Sequence, residues 1–227
     1  MDSYEKFLSD FNISKTDFWG WGLNSIIYPS EEAIEKEWTE LKNRIKNNKV
    51  VTIRGYGREA HATDLYKNFY AFALNHTNIK KDPSNNTAPR KIITKTTGFK
   101  NNQDIFNYQV AHIFGHTKNI FMFEAPWNIC YIPKLFDPFT GHESKGIISD
   151  GFKLFFIYKS YEKNKKYIED YNRIIDELSI NKKIDDYVDS LISSKLYDIN
   201  TLNRFKADIK SEFSYIKEPE LKNYINI

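Results

Sequence analysis

The chain has 227 residues, of which 41% are hydrophobic and 16% aromatic, and its net charge is +3. This composition excludes a disordered chain and supports one sizeable core, while the absence of an apolar run of about 18 residues excludes a membrane-spanning helix. The acidic N-terminal stretch lacks the hydrophobic region of a signal peptide, and a single cysteine, Cys130, fits a reducing compartment. We therefore expect a cytoplasmic protein in which Cys130 is a small buried hydrophobe.

The basic residues are concentrated in one part of the chain. Residues 44–118 hold 13 Lys and Arg against 4 Asp and Glu, whereas the remainder holds 20 against 26. A solvated face can have this composition, but a local balance of +9 is also typical of a surface that binds a phosphate backbone.

The N-terminal part predicts a loop followed by a helix. Trp19 and Trp21 alternate with glycines, which favours an ordered loop packed on a neighbouring element. Ser30 is a typical helix N-cap, and it precedes apolar residues at helical spacing. These residues are Ile34, Trp38, Leu41 and Ile45.

A short strand, a turn and a second helix are predicted next. The strand covers residues 50–53, and the glycine turn after it carries Arg54 and Arg58. The turn lacks the third glycine and the lysine of a nucleotide-binding loop. Residues 63–75 predict a helix whose inward face consists of Leu65, Phe69 and Phe72.

Residues 79–103 are polar and offer side chains that suit DNA. Arginine and lysine bond phosphates or guanine edges, and asparagine and glutamine bond adenine. Polar surface loops share this composition, so the signal is weak by itself. The predicted DNA contacts in and around the basic region are Arg54, Arg58, Arg90, Lys91, Lys95 and Lys118.

Residues 108–146 place three polar candidates on successive elements. His112 lies in a strand-like run, residues 108–114, and Asn128 opens a second such run that Pro133 ends. Asp137 and Pro138 predict the start of a short helix that continues to Gly146 and contains His142. The predicted order is strand, loop, strand and helix, a ββα unit.

This stretch resembles the HNH group of ββα-metal endonucleases, with AHI, WNI and GHE at the three signature positions. The resemblance implies that His112 is the general base and that Asn128 holds the loop and the base in place. It implies that His142 binds one divalent cation, Mg²⁺ with Mn²⁺ as a substitute, and that the metal stabilises the leaving oxygen. Any one such residue taken alone is more often a surface or core residue than a catalyst.

Two features depart from the HNH pattern. Many members carry an acidic metal ligand immediately before the first histidine, whereas this chain has Ala111. Asn128, water or phosphate oxygens would then complete the coordination shell. The chain also lacks a CxxC pair, so no structural zinc is expected.

The residues after the unit predict helices. One long apolar stripe covers residues 154–178, with a break near Asn164, and two further stripes cover residues 184–192 and 202–216. The fold class expected is therefore α+β, with a ββα-metal core embedded in a mainly helical single domain. Residues 1–103 form its helical and basic DNA-contacting part, 104–148 the catalytic unit and 149–227 the helical C-terminal part.

These expectations favour a metal-dependent DNA endonuclease, in particular a type II restriction enzyme. Such an enzyme acts on double-stranded DNA and would form a homodimer if its site is a palindrome. A nonspecific or toxin-like HNH nuclease, a DNA-binding protein without catalysis and a purely structural protein are the alternatives.

Overall fold

The computed structural model describes residues 2–55, 60–141 and 143–221, without the side chains of residues 60–63. Its α-helices are α1 Ser3–Asp10, α2 Lys15–Asn24, α3 Glu31–Lys46, α4 Ala60–Leu74, α5 Thr87–Thr97, α6 Asp137–Thr140, α7 Ile147–Glu177, α8 Ile180–Ser194 and α9 Ile199–Glu212. Its strands are β1 Val51–Ile53, β2 Ile79–Lys81, β3 Tyr108–His112 and β4 Ile129–Pro133. The fold is therefore mixed α+β and mostly helical, as predicted at this level. Within the described ranges, no helix is both long and apolar enough to cross a membrane.

The four strands form two small sheets. Strands β1 and β2 are parallel, with Val51 opposite Ile79, and β3 and β4 are antiparallel, with His112 opposite Ile129. A single 3₁₀ turn, Pro126–Asn128, leads into β4. Along the chain, β3, a loop, β4 and the short helix α6 therefore follow one another in the predicted order.

Local sequence signals account for several elements. The Ser30 hydroxyl accepts a hydrogen bond from the N–H of Ala33 at 3.3 Å, which confirms the predicted N-cap of α3. The predicted inward face of α3 is buried, and so are Leu65 and Phe69 of α4. Cys130 is also fully buried, as expected.

Three predictions about the elements are wrong. Residues 15–24 form helix α2 rather than a loop, because Ser14 caps it through the N–H of Asp17 and buried Trp19 anchors it to the Ile148 carbonyl at 3.0 Å. The short helix ends at Thr140, and Gly146 is the N-cap of α7 instead of a helix C-terminus. Helix α7 is unbroken at Asn164. The side-chain amide of Asn164 donates to the Ser160 carbonyl one turn earlier and so stays within the helix.

The β3–β4 hairpin lies between two apolar clusters. Ala111 and Cys130 pack with Phe139 of α6 and Phe152 of α7 in one cluster. Val110, Ile129 and Tyr131 pack with Ile93 of α5 in the other. Because successive strand residues face opposite sides, Ala111 points toward α6 while Val110 faces α5. A larger cluster joins α3, α4, α7, α8 and α9.

Candidate functional site

His112 ends strand β3 and is held at both its ring face and one nitrogen. The ring stacks on Phe123 with centroids 5.2 Å apart, and Nε2 lies 3.0 Å from the Phe123 carbonyl oxygen. Because a carbonyl only accepts, Nε2 carries the hydrogen and Nδ1 keeps its lone pair. Nε2 is therefore held by a hydrogen bond, and Nδ1 is the nitrogen that can accept a proton.

The surroundings of His112 keep the ring neutral. The pKa of His112 is lowered to about 4, mainly by burial, and the charge of Arg54 acts in the same direction. The Phe123 carbonyl and the charge of Asp82 act in the opposite direction without offsetting the burial. At neutral pH the side chain is a proton acceptor rather than a cation.

Asn128 is fully buried and its amide bonds the loop between the strands. Its Nδ2 donates to the carbonyls of Gly115 and Met122 at 3.0 and 3.1 Å, and its Oδ1 accepts the N–H of Phe114 at 2.8 Å. These contacts join both ends of the loop to the start of β4. The amide is engaged by the protein, so Asn128 does not offer its oxygen to a metal in the cavity.

The described residues around His112 do not supply a metal site. Ala111, the residue before His112, places only a methyl group toward α6. No cluster of three His, Cys, Asp or Glu that could hold a metal is found in the described ranges. The predicted ligand His142 lies outside the described residues. The Mg²⁺ site therefore stays a prediction.

His112 lines a cavity of about 430 Å³, which we call the His112 cavity. Its walls are the end of β3 and the following loop (112–116), the end of α6 (140–141), two residues of α7, and residues 215–217 after α9. The described walls contain His112, His116, Lys153 and Lys217 but no aspartate or glutamate. Gly141 therefore lines the same cavity as His112.

Several wall residues were not identified from the sequence. His116 is partly buried and its Nδ1 donates to the Glu212 carbonyl at 2.8 Å. Lys153 directly precedes the predicted apolar stripe of α7 and donates to the Gly141 carbonyl at 3.0 Å. Lys217 lies in a polar segment with no motif. The one available signal was a lysine within the otherwise apolar run around Lys153.

A second opening, the lysine cleft, lies between β2 and α5 and has a volume of about 510 Å³. Its basic residues are Arg44, Lys80, Lys81, Lys91 and Lys95, and its acidic residues are Glu37, Asp82 and Glu124. Arg44 pairs with Glu124 at 2.6 Å and Lys95 with Glu37 at 2.7 Å. None of the ion pairs among the described residues involves the other three lysines.

Asp82 of the lysine cleft and Arg54 lie at the ends of the two parallel strands. Arg54 follows β1 and Asp82 follows β2, and both are close enough to His112 to affect its pKa. The Asp82 carboxylate accepts N–H groups at the start of α5, including that of Ala88 at 2.7 Å. Although burial raises the pKa of Asp82, these N–H bonds outweigh it and leave the pKa lowered. Asp82 is thus a charged helix cap.

The predicted DNA contacts are divided among different surroundings. Arg54 is exposed near His112. Arg90 and Lys91 are both exposed on α5, and only Lys91 lines the lysine cleft. Lys118 is engaged with Asp208 and lies over the Tyr66 ring. Lys95 pairs with Glu37, as noted. Arg58 lies outside the described residues.

The fold and site define a mostly helical α+β protein with a histidine at the end of a β-hairpin, beside lysine-lined openings. The chain belongs to the family described as "Uncharacterised protein PM1201", whose family model matches residues 29–218. It is 40% identical over 220 residues to "Uncharacterized protein PM1201" of Pasteurella multocida (strain Pm70), covering 96% of this chain and 98% of that protein. No solved structure matches the chain significantly.

Proposed function

We propose that this protein is an endonuclease that hydrolyses DNA phosphodiester bonds in the His112 cavity. The observation that carries the proposal is the composition of the cavity walls, in which two histidines and two lysines are present without a described carboxylate. A phosphodiester is an anion, and a carboxylate-free wall with two ammonium groups suits it. The strand–loop–strand–helix order around His112 is the same as that of the HNH group.

His112 would act as the general base. Its Nδ1 takes a proton from water as the water oxygen bonds to phosphorus, and the bond from phosphorus to the 3′ oxygen breaks. The departing oxygen receives a proton from solvent. Lys153 and Lys217 would stabilise the negative charge that the phosphate oxygens accumulate in the transition state. A divalent cation bound through His142 would supply Lewis-acid stabilisation of the leaving oxygen.

The lysine cleft supports a polymeric substrate. Lys80, Lys81 and Lys91 lie outside the described ion pairs, so their charges are available to consecutive phosphates. Asp82 lines the cleft, and its charge influences the pKa of His112. We propose that a nucleic-acid backbone lying in the cleft extends to the cavity.

A sequence-specific type II restriction enzyme is the finer form of the proposal. The chain offers much sequence outside the ββα unit for reading bases, and a palindromic site would require a symmetric homodimer. A nonspecific or toxin-like nuclease uses the same chemistry with fewer base contacts, and a non-catalytic DNA-binding protein uses only the cleft.

Digestion of supercoiled plasmid with Mg²⁺ or Mn²⁺ tests the proposal. We expect discrete fragments from the wild type and intact plasmid from His112→Gln. A smear would indicate a nonspecific nuclease. Plasmid that is retarded in a gel but stays intact would refute catalysis and leave DNA binding.

A further inference from the structure

Helix α9 contacts the loop that follows His112 through Asp208, which pairs with the Lys118 side chain, and through its last residue, Glu212. The Glu212 carboxylate accepts the N–H of Lys118 at 2.9 Å. Its backbone carbonyl accepts the Nδ1–H of His116 and the Nδ2–H of Asn119, both at 2.8 Å. One residue, 100 positions after His112 in the chain, thus holds three of the four residues from 116 to 119.

The contact with Asn119 leads directly to the His112 ring. The Asn119 carbonyl accepts the N–H groups of Met122 and Phe123 at 2.9 and 3.0 Å, which fixes the turn that ends at Phe123. The Phe123 carbonyl in turn accepts the Nε2–H of His112. The position of the ring therefore depends on the loop, and the loop depends on α9.

The loop held by Glu212 also contacts the segment after β1. The backbone N–H of Arg54 donates to the carbonyl of Thr117 at 2.9 Å, which places Arg54 against the same loop. Burial raises the pKa of Glu212 to about 7, so its carboxyl group is protonated at the acidic pH at which His112 titrates. A neutral amide oxygen would accept the N–H of Lys118 equally well. Glu212 therefore acts on His112 through its hydrogen bonds to the loop and not through its charge.

We propose that Glu212 is a positioning residue for His112, which holds the 116–119 loop and, through the turn that ends at Phe123, the ring of His112. The inference rests on the proposed role of His112 as the general base. It assigns a functional contribution to α9, a helix that lies outside the ββα unit. Glu212 does not line the His112 cavity, so it acts through the loop and not on the substrate.

The test measures the ionisation of His112 in the full-length protein by NMR of the histidine ring protons, assigned by comparison with His112→Gln. In Glu212→Ala the loop loosens and the ring gains solvent, so the pKa of His112 should rise from about 4 to roughly 5 or above. The single-turnover rate should fall about 10-fold with DNA affinity within twofold. Glu218→Ala, an exposed neighbour, is the matched control and should change neither quantity.

Glu212→Gln keeps an oxygen that accepts the N–H of Lys118, so the pKa of His112 and the cleavage rate should stay close to the wild-type values. Glu212→Asp, whose side chain is one methylene shorter, weakens the same contact and should raise the pKa of His112. This variant decides the question if Glu212→Ala does not fold. An unchanged pKa of His112 in the folded Ala or Asp variant would overturn the proposal. Wild-type protein that leaves DNA intact would refute the nuclease function alone, since the NMR shifts still decide whether Glu212 positions the ring.

Discussion

Replacing His112 with alanine and, separately, with glutamine distinguishes the chemistry of the ring from its structural contact. Alanine removes the base and also leaves the Phe123 carbonyl without its donor, which costs about 1–3 kcal/mol of unfolding free energy. Glutamine can donate to the same carbonyl, but its amide does not accept a proton at neutral pH. Both variants should therefore lose catalysis, and only alanine should lose appreciable stability.

The expected loss follows from the role of a positioned base. General-base catalysis contributes ~10²- to 10⁴-fold in rate, which corresponds to about 2.7–5.4 kcal/mol of transition-state stabilisation. Because the pKa of His112 is about 4, only about one ring in a hundred is protonated at pH 6. The wild-type rate should therefore show no limb from His112 between pH 6 and 8.

Single-turnover cleavage of a labelled duplex with Mg²⁺ measures the rate, and fluorescence anisotropy without cleavage measures DNA affinity. Urea unfolding of the same preparations shows whether each variant is folded. If folded His112→Gln cleaves DNA at close to the wild-type rate, His112 is not the base and the HNH interpretation fails. An acid limb centred near pH 6.5 would contradict the inferred burial of the ring.

Four further outcomes are expected. Alanine at the three unpaired lysines of the lysine cleft should flatten the salt dependence of DNA binding by ~0.9 in log–log slope per lost phosphate contact, whereas Lys36, Lys159 and Lys182 replaced together should not. His142→Ala should lower cleavage in a way that excess Mg²⁺ or Mn²⁺ partly restores, and equal metal affinity by calorimetry would exclude it as a ligand. Asn128→Ala removes three hydrogen bonds to the backbone and leaves the Phe114 N–H and the Gly115 carbonyl without this partner, so its unfolding free energy in urea should fall by about 2 kcal/mol. Burial raises the pKa of Glu212 from 4.5 to about 7, so between these pH values the folded state holds a proton that the unfolded state has lost. The unfolding free energy relative to Glu212→Gln should therefore fall as the pH rises from 4.5 to about 7.

Much of the secondary structure was contained in local sequence patterns. The N-cap at Ser30, the helical spacing of the apolar residues after it, and the alternation around His112 each depend on neighbours within a few positions. Pro133 is the last residue of β4, as its missing N–H requires. Such signals are local because caps, turns and periodicity arise from the backbone geometry of consecutive residues.

Local patterns failed where a distant element decided the outcome. Phe72 was predicted to face inward from its spacing on α4, but it is 52% exposed, and its ring lies tilted against Tyr187 of α8 with the centroids 5.3 Å apart. Periodicity identifies the apolar face of a helix without specifying how much of that face a neighbour covers. Helix α2 shows the same limit, since the hydrogen-bond partner of its Trp19 side chain is the Ile148 carbonyl, 129 residues away in the chain.

The sequence by itself determined that His112 lies on a strand that is followed by a loop, a second strand and a short helix, whereas Asn128, predicted to open the second strand, lies in the 3₁₀ turn before it. Only the tertiary structure decided that Lys153 and Lys217 line the same cavity as His112 and that Arg54 influences its pKa, because these residues come from α7, the segment after α9 and the position after β1. Charged residues on an exposed face carry no periodic signal that relates them to a site elsewhere in the chain. Their convergence results from the packing of apolar faces, which fixes where each polar side chain emerges.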